Sequence, residues 1–563
     1  MNQNTKRRWL AALLGAAAGM VVFFLLYGTS TLHPTYDAWI LNGYDEWDIQ
    51  QHYAGWVLFR NSHWAFPLGL ADTIAAPDGT VISFTDSIPW VSIFFKALRG
   101  VLPSTFQWFG WYTLFCFAMQ GAAGALLCAR GQAKTGAGAL VFSTLGGLLF
   151  VMLPTLWERA FRHTALASQW LFLLALYAFL EYRQNLYSGT AKFPWAMPVL
   201  AFLAVGIHPY FLPLVMMCAL LAAVAAVELG RQKKAWGRAA LQFAASLAAA
   251  VVGGVLCGAI GSGTGASRSG YGDYSMNLNA LINPTSRGGY TWSRLYQVMP
   301  QQPGQYDGFN YLGLGVLALI TAALLFSLRR VVRCPQNTKT WWHRNGPVFA
   351  ACVFLTLFAV SNKIYWGNTG IELPLPAKLL ELCGIFRSSG RMFYLVAACM
   401  VVYAVYTLRD RLPGRYAVLV LALFVGVQAF DLSAAAQQKR QKFADPINAT
   451  VVNNDQTASL GAGHTQLLAA GEVREDRLRL LAILAGKQGL ATNLDIAVSG
   501  SHPAAAASRA DTAARLAAGQ YDPTAVYVTT DGATWENWQA VFAGDDSLNF
   551  FVADSCYFMV PAV

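Results

Sequence analysis

The sequence predicts an α-helical polytopic membrane protein of about eleven transmembrane helices with a small α/β domain at its C-terminal end. Three observations lead there. Of 563 residues, 55% are hydrophobic and only 12% charged, about half the charge of a soluble globular chain. Successive apolar stretches of roughly 17 to 25 residues are long enough, at about 1.5 Å per residue, to cross a hydrocarbon core of about 30 Å. The basic residues also fall in alternate loops, the positive-inside pattern of a chain that crosses repeatedly.

The first crossing, Trp9 to Tyr27, follows Lys6-Arg7-Arg8. It is longer than the roughly 7 to 15 apolar residues of a secretory signal, so it reads as an uncleaved anchor. With the basic end inside, it delivers residues 29–103 to the far side. Within that loop Ser87 to Val101 is apolar, but Lys96 and Arg99 interrupt it, and the expectation is an amphipathic segment lying on the interface. Further crossings run over 104–128, 137–154 and 164–182, then a short hairpin over 194–228 bent at His208-Pro209, where proline removes a helix donor. The last five are 236–260, 309–328, 346–362, 391–408 and 415–433. The hairpin is required by parity, because the segments on either side of it are both basic. Loops 29–103, 261–308 and 363–390 then share one outer face with the tail 434–563, which divides the chain into a membrane domain, 1–433, and a soluble domain. In the tail, "REDRLRLLAILAGK" and "ASRADTAARLAAG" read as helices, and "AVYVTTDG" and "NFFVADSCYFMV" as strands ending in turns.

A formal net charge of +11 suits a nucleic-acid partner only where the cations share one folded face. Here nineteen of the forty Lys and Arg lie in six short loops, 1–8, 129–136, 183–193, 229–238, 329–345 and 409–415. The excess is topological, and no nucleic-acid partner is expected. Nine Cys occur without a C-x-x-C pair or zinc spacing and are assigned no chemistry.

Acid concentrates in "DEWDIQQHY", residues 45–53, where Asp45, Glu46 and Asp48 follow the first crossing. The segment continues into aromatic sequence expected to lie against the membrane surface. A carboxylate desolvated there gains basicity and can act as a general base, and Asp48 is favoured. Asp86 in "ISFTDSIPW" is open to two readings: a helix N-cap or a second acid at the same cavity, able to share a divalent ion with Asp48. In "GIFRSSGRMFY", Arg387 and Arg391 are four apart. On a helix that begins this early they share a face at its N-terminus, suited to phosphate, and the alternative is headgroup anchoring. His208 and Tyr210 at the hairpin bend, and Tyr306, Asp307 and Asn310 in "QYDGFNYLG", are further candidates. No P-loop, Rossmann fingerprint, H-E-x-x-H, G-x-S-x-G or zinc spacing occurs, so nucleotide and metalloprotease chemistry lose support.

These ingredients suit an outer-face enzyme that draws an activated group from a membrane-borne phosphate carrier. The arrangement resembles the GT-C class of integral membrane glycosyltransferases, which use polyprenyl-phosphate-linked sugars and carry an essential Asp in the first outside loop. More closely, "DIQQHYAGWVLFRNSHWAFPLG", "PDGTVISFTDSIP", "HPYF", "QYDGFNYLGLG" and "FRSSGR" resemble a group of bacterial GT-C-like proteins whose first loop starts D-x-x-Q-H-Y. The resemblance covers most of 1–433 and is thinner in the tail. It implies Asp48 as catalytic acid with Gln51, His52 and Tyr53 beside it, Asp86 as second acid, and Arg387 and Arg391 for the donor phosphate. Asp45 and Glu46 depart from the less acidic lead-in of that group, so all three carboxylates are retained. The implied reaction is inverting transfer from a polyprenyl-phosphate sugar to a glycan or protein acceptor. Its setting is the periplasmic face of a bacterial inner membrane, among membrane lipids, and a divalent cation, Mg or Mn, serves some members of the class. Alternatives are a transporter or flippase of lipid-linked sugars, which usually places ionisable groups near the bilayer midplane, and an O-antigen ligase or polymerase.

Overall fold

A computed structural model describes residues 3–42, 48–132, 136–230, 235–261, 269–444, 450–497 and 502–562. The candidate carboxylates Asp45 and Glu46 lie outside them. Among the described residues nine helices are long and apolar enough to cross a membrane: Thr5–Tyr27, Phe109–Ala129, Thr164–Tyr187, Phe211–Leu229, Ala235–Cys257, Leu314–Arg333, Thr338–Val360, Ser389–Arg411 and Gly414–Asp431. Two shorter apolar helices, Ala137–Val151 and Ala196–Ile207, stand at the other two expected crossings. The protein is a helical membrane protein with a small C-terminal α/β region.

Small residues let the spans approach where lipid supplies no hydrophobic drive. The first span crosses Phe109–Ala129 so closely that a Cβ added at Gly15 would strike the Gly121 carbonyl, and one added at Gly121 would strike the Gly15 carbonyl. At the basic end Glu181 ties three spans together, accepting from Arg8 at 2.7 Å and Arg130 at 2.5 Å.

The structure departs from the expected element boundaries in two places. The basic segment 329–345 is mostly helical, because Gln336–Val360 begins ten residues before the expected crossing, and only Cys334 and Pro335 break it from Leu314–Arg333. The interfacial segment contains a nine-residue helix, Pro89–Ala97, but Lys96 does not reach up from it to water. Its ammonium is buried, donating to Ser62 Oγ at 2.7 Å and lying over the rings of Phe59 and Trp64 at 4.1 and 4.6 Å.

The long loops are braced by polar side chains at the ends of spans. Asp431 accepts from Ser293 Oγ at 2.5 Å, the Tyr311 hydroxyl at 2.7 Å and the Leu314 amide at 2.9 Å. One carboxylate thus holds the aromatic loop and caps the next span.

The C-terminal sheet has strand order Ala491–Thr492, Gln466–Ala469, Ala525–Thr529, Cys556–Pro561, Leu548–Ala553. The first three are parallel and the last two antiparallel to their neighbours. Helix Glu475–Lys487, with Leu480 through Gly486 buried, packs against helix Asp48–Phe59 in the loop after the first span. Asn61 Nδ2 donates to the Gly486 carbonyl at 2.7 Å, Lys487 pairs with Asp37 at 2.7 Å, and the Thr492 amide donates to the Thr73 carbonyl at 3.0 Å. The tail is built onto the loop that carries the acidic stretch.

Asp431→Ala leaves two buried hydroxyls, Ser293 and Tyr311, and the Leu314 amide without their acceptor, at about 1–3 kcal/mol each. The expected outcome is a loss of several degrees in the thermal unfolding midpoint of the detergent-solubilised protein, without change in the apparent size of the folded particle.

Candidate functional site

Helix Asp48–Phe59 opens the site. Residues four apart on a helix stand on one face, so Asp48 and His52 point the same way. Asp48 remains 27% exposed at its side chain and lies 3.4 Å from His163 Nε2. His52 is fully buried, and its ring centroid is 6.3 Å from that of His163. Gln51 is also buried, and its amide nitrogen has no partner among the described residues. Tyr53 faces elsewhere: it is buried with its hydroxyl given to Asp37 at 2.9 Å, the carboxylate that also pairs with Lys487, so it braces the loop from within.

The second acid is brought in by the turn after the strand Thr80–Val81. Of its two readings, the N-cap is excluded. Asp86 sits in the left-handed region at φ 55, and the residue preceding helix Pro89–Ala97 is Ile88, with no side-chain cap. Ser87 Oγ donates to the His52 carbonyl at 2.7 Å. Gly55 permits that approach, since a Cβ there would collide with the Ser87 and Thr85 hydroxyls. Asp86 lies 3.7 Å from His208 Nε2. His208 Nδ1 accepts the Tyr210 amide at 3.2 Å, which leaves the ring proton on Nε2, toward Asp86.

His52, Asp86 and His163 present ligand atoms that all lie within 4.8 Å of one another. The Nδ1 atoms of His52 and His163 are buried and make no hydrogen bond among the described residues. Burial lowers His52 to about 3. It lowers His163 and His208 well below the ordinary value, with Arg391 next in effect. Neutral imidazoles are the form that binds metals. Two imidazoles and a carboxylate match Mn or Zn better than the all-oxygen preference of Mg.

Burial also raises both acids. Asp48 rises against the opposing fields of Arg162, Arg287 and Arg479, and Asp86 is pushed up to about 6, against Arg391. A carboxylate in this range is a better base than one in water.

A cationic wall faces them. Asp307 is buried between two guanidiniums: Arg159 donates to Oδ1 at 2.6 Å and to the Asp307 carbonyl at 2.7 Å, and Arg391 is 2.9 Å from Oδ2. Arg159, then Arg391, overcome the burial penalty and hold Asp307 well below the carboxylate range. Asp307 is therefore an ionised tether and no base. Two cations on one anion leave the cluster with one positive charge. Arg391 also lies 4.6 Å over the Tyr210 ring.

Arg387 and Arg391 do not share a helical face as expected. The helix begins at Phe393, preceded by a single turn Ser389–Met392, because the Tyr210 hydroxyl takes the Ser388 amide at 2.8 Å and the Tyr274 carbonyl takes the Gly390 amide at 3.3 Å. Arg387 stands before that turn, 5.7 Å over the Tyr274 ring, with no carboxylate partner among the described residues. Tyr306 accepts from Arg287 at 3.1 Å and lies beneath its guanidinium. Asn310 donates to the carbonyls of Gly308 and Gly390, joining the two arginine-bearing loops.

Sequence reasoning missed the segment Pro154–His163, which it treated as a gap between crossings. Arg159 and His163 contact Asp307 and Asp48 there, and Glu158 pairs with Arg162. The signal was present: "WERAFRH" packs four ionisable groups into seven positions between two apolar spans, a density like that of "DEWDIQQHY". Phe161 at the centre of the turn has φ 65, an unfavourable conformation for a bulky residue that persists only where the surroundings impose it. Its ring is packed among Tyr27, Trp39 and Phe443.

A family profile described as "Domain of unknown function (DUF6311)" matches residues 16–433, and one described as "DUF6311 C-terminal domain" matches 456–561. No curated protein matches the chain.

The raised Asp86 has a signed consequence for stability. A carboxylic acid at about 6 when folded and about 4 when unfolded favours the folded state most below pH 4, and that contribution is lost as pH rises through 6, a difference of about 3 kcal/mol. Asp86→Asn, neutral throughout, is expected to be more stable than wild type above pH 7 and to lose the advantage below about pH 4, as read by unfolding in detergent with a chelator present.

Proposed function

This chain belongs to the DUF6311 family, and we propose that it is a membrane glycosyltransferase. In this reading it moves a sugar from a polyprenyl-phosphate donor to an acceptor hydroxyl on the periplasmic side of a bacterial inner membrane. The observation that carries the reading is one cluster that joins two raised carboxylates, Asp48 and Asp86, to three neutral histidines and a net cationic wall. An outer-face location supplies no soluble nucleotide donor, and lipid-linked phosphate is the activated group at hand.

The chemistry follows from the placement. Asp48 takes the proton of the acceptor hydroxyl as its oxygen attacks the anomeric carbon. The bond from that carbon to the phosphate oxygen breaks, and its electron pair leaves with the lipid phosphate. The configuration inverts in this single displacement. Arg387 receives the departing phosphate, backed by the single positive charge of the Arg159, Asp307 and Arg391 cluster. His163 orients Asp48 from 3.4 Å, and His208 does the same for Asp86. A divalent ion held by His52, Asp86 and His163 would supply Lewis-acid stabilisation of phosphate charge. The glycan or protein acceptor enters beneath the aromatic loop 269–308 and helix Glu475–Lys487.

In membranes supplied with a polyprenyl-phosphate sugar, Asp48→Asn should lower transfer by about 10²–10⁴-fold at normal expression. Unchanged turnover would remove Asp48 as the base. Arg387→Ala should raise the donor KM with little effect on the acceptor KM. Equal effects on both would count against a phosphate role.

A further inference from the structure

A crevice of about 1300 Å³ is cut between the spans, with its basic rim at the other end of the bundle from Arg391. It runs along helix Phe393–Arg411, with both Phe393 and Arg411 among its lining residues, about 27 Å at 1.5 Å per residue. Its volume exceeds the roughly 300–1,000 Å³ of a small-molecule pocket.

The walls are apolar. Leu176, Leu324, Val348, Val353, Leu357 and Met400 line them. Leu324 is 56% and Leu357 67% exposed, so the crevice opens sideways to lipid and not only at its end. The rim is basic. Arg8 and Arg130 are paired with Glu181, and Arg409 with Asp410. Arg183, Arg330, Arg344 and Arg411 also line the crevice and have no carboxylate partner among the described residues. Arg183 instead donates to the Arg344 carbonyl at 3.3 Å, and the Arg344 guanidinium lies 5.6 Å over Tyr187. Trp341 and Trp342 stand at the same level, where amphipathic rings favour the headgroup region.

We propose that this crevice binds an anionic phospholipid, its phosphate held by the unpaired arginines at the rim and an acyl chain laid along the apolar walls. Charge complementarity selects the headgroup: four guanidiniums without carboxylates attract a phosphodiester, and a basic pocket between spans on the side of the basic loops faces the leaflet richer in anionic lipid. Length selects the chain, since a free phosphate would leave the apolar walls uncovered. The arginine rim lies at the opposite end of helix Phe393–Arg411 from Arg391 and Arg387, and its assignment is independent of the transferase reading.

The test uses the full chain, delipidated in neutral detergent and observed by native mass spectrometry with dioleoylphosphatidylglycerol, dioleoylphosphatidylcholine or inorganic phosphate added. One phosphatidylglycerol should be retained under conditions that strip phosphatidylcholine, and inorganic phosphate should not displace it. The double substitution R344Q/R411Q should reduce that preference more than about tenfold. Val353→Trp fills the crevice and leaves every arginine in place; it should reduce retention of both lipids. Equal retention of the two lipids by wild type would overturn the assignment. So would displacement by inorganic phosphate, full preference in R344Q/R411Q, or wild-type retention in Val353→Trp.

Discussion

The candidate site depends on one buried carboxylate. Asp307 joins Arg159, from the turn between two spans, to Arg391, from the loop before another. An ionised group taken out of water is costly unless its partners satisfy it, and here they do: Asp307 has two guanidiniums, and Arg159 has both the carboxylate and the Asp307 carbonyl. Removing any member strands a charge, so the three segments hold one arrangement. That arrangement sets His163 opposite Asp48 and leaves a single positive charge facing two raised acids. It also accounts for the low protonation of the nearby histidines, since burial and the adjacent cations both oppose a further positive charge.

Much of the fold was legible because lipid imposes simple rules. Length and hydropathy located the spans. The boundary at 329–345 was missed because charged helix ends project past the hydrocarbon without losing backbone hydrogen bonds, so a basic helix terminus and a basic loop read alike in composition. Lys96 was misjudged for a related reason: its charge implied exposure, but aromatic faces and a hydroxyl replace its water.

At the site, local signals were partly sufficient. The four-residue spacing of Asp48 and His52 survives as a helical face. The same spacing in Arg387 and Arg391 does not, because a tyrosine hydroxyl and a distant carbonyl capture the amides that a helix would have used. Periodicity cannot register such a competitor. Tyr53 shows the opposite failure, since adjacency in sequence put it beside His52 while its hydroxyl turned to Asp37. Asp307 was singled out as a ligand for substrate, but its partner Arg159 lies 148 positions away and nothing local announces the pair.

The seating of helix Glu475–Lys487 on the loop after the first span bears on how the chain matures. Asn61 meets Gly486 across 425 positions and Asp37 meets Lys487 across 450. At about 5–20 residues per second, the ribosome reaches the later partner roughly 20 to 90 seconds after the earlier one. Throughout that interval the spans can insert and pair, but the loop bearing Asp48 lacks the surface that covers Val57 and Leu58. The nascent protein therefore carries its acids on an unfinished support until helix Glu475–Lys487 seats on helix Asp48–Phe59.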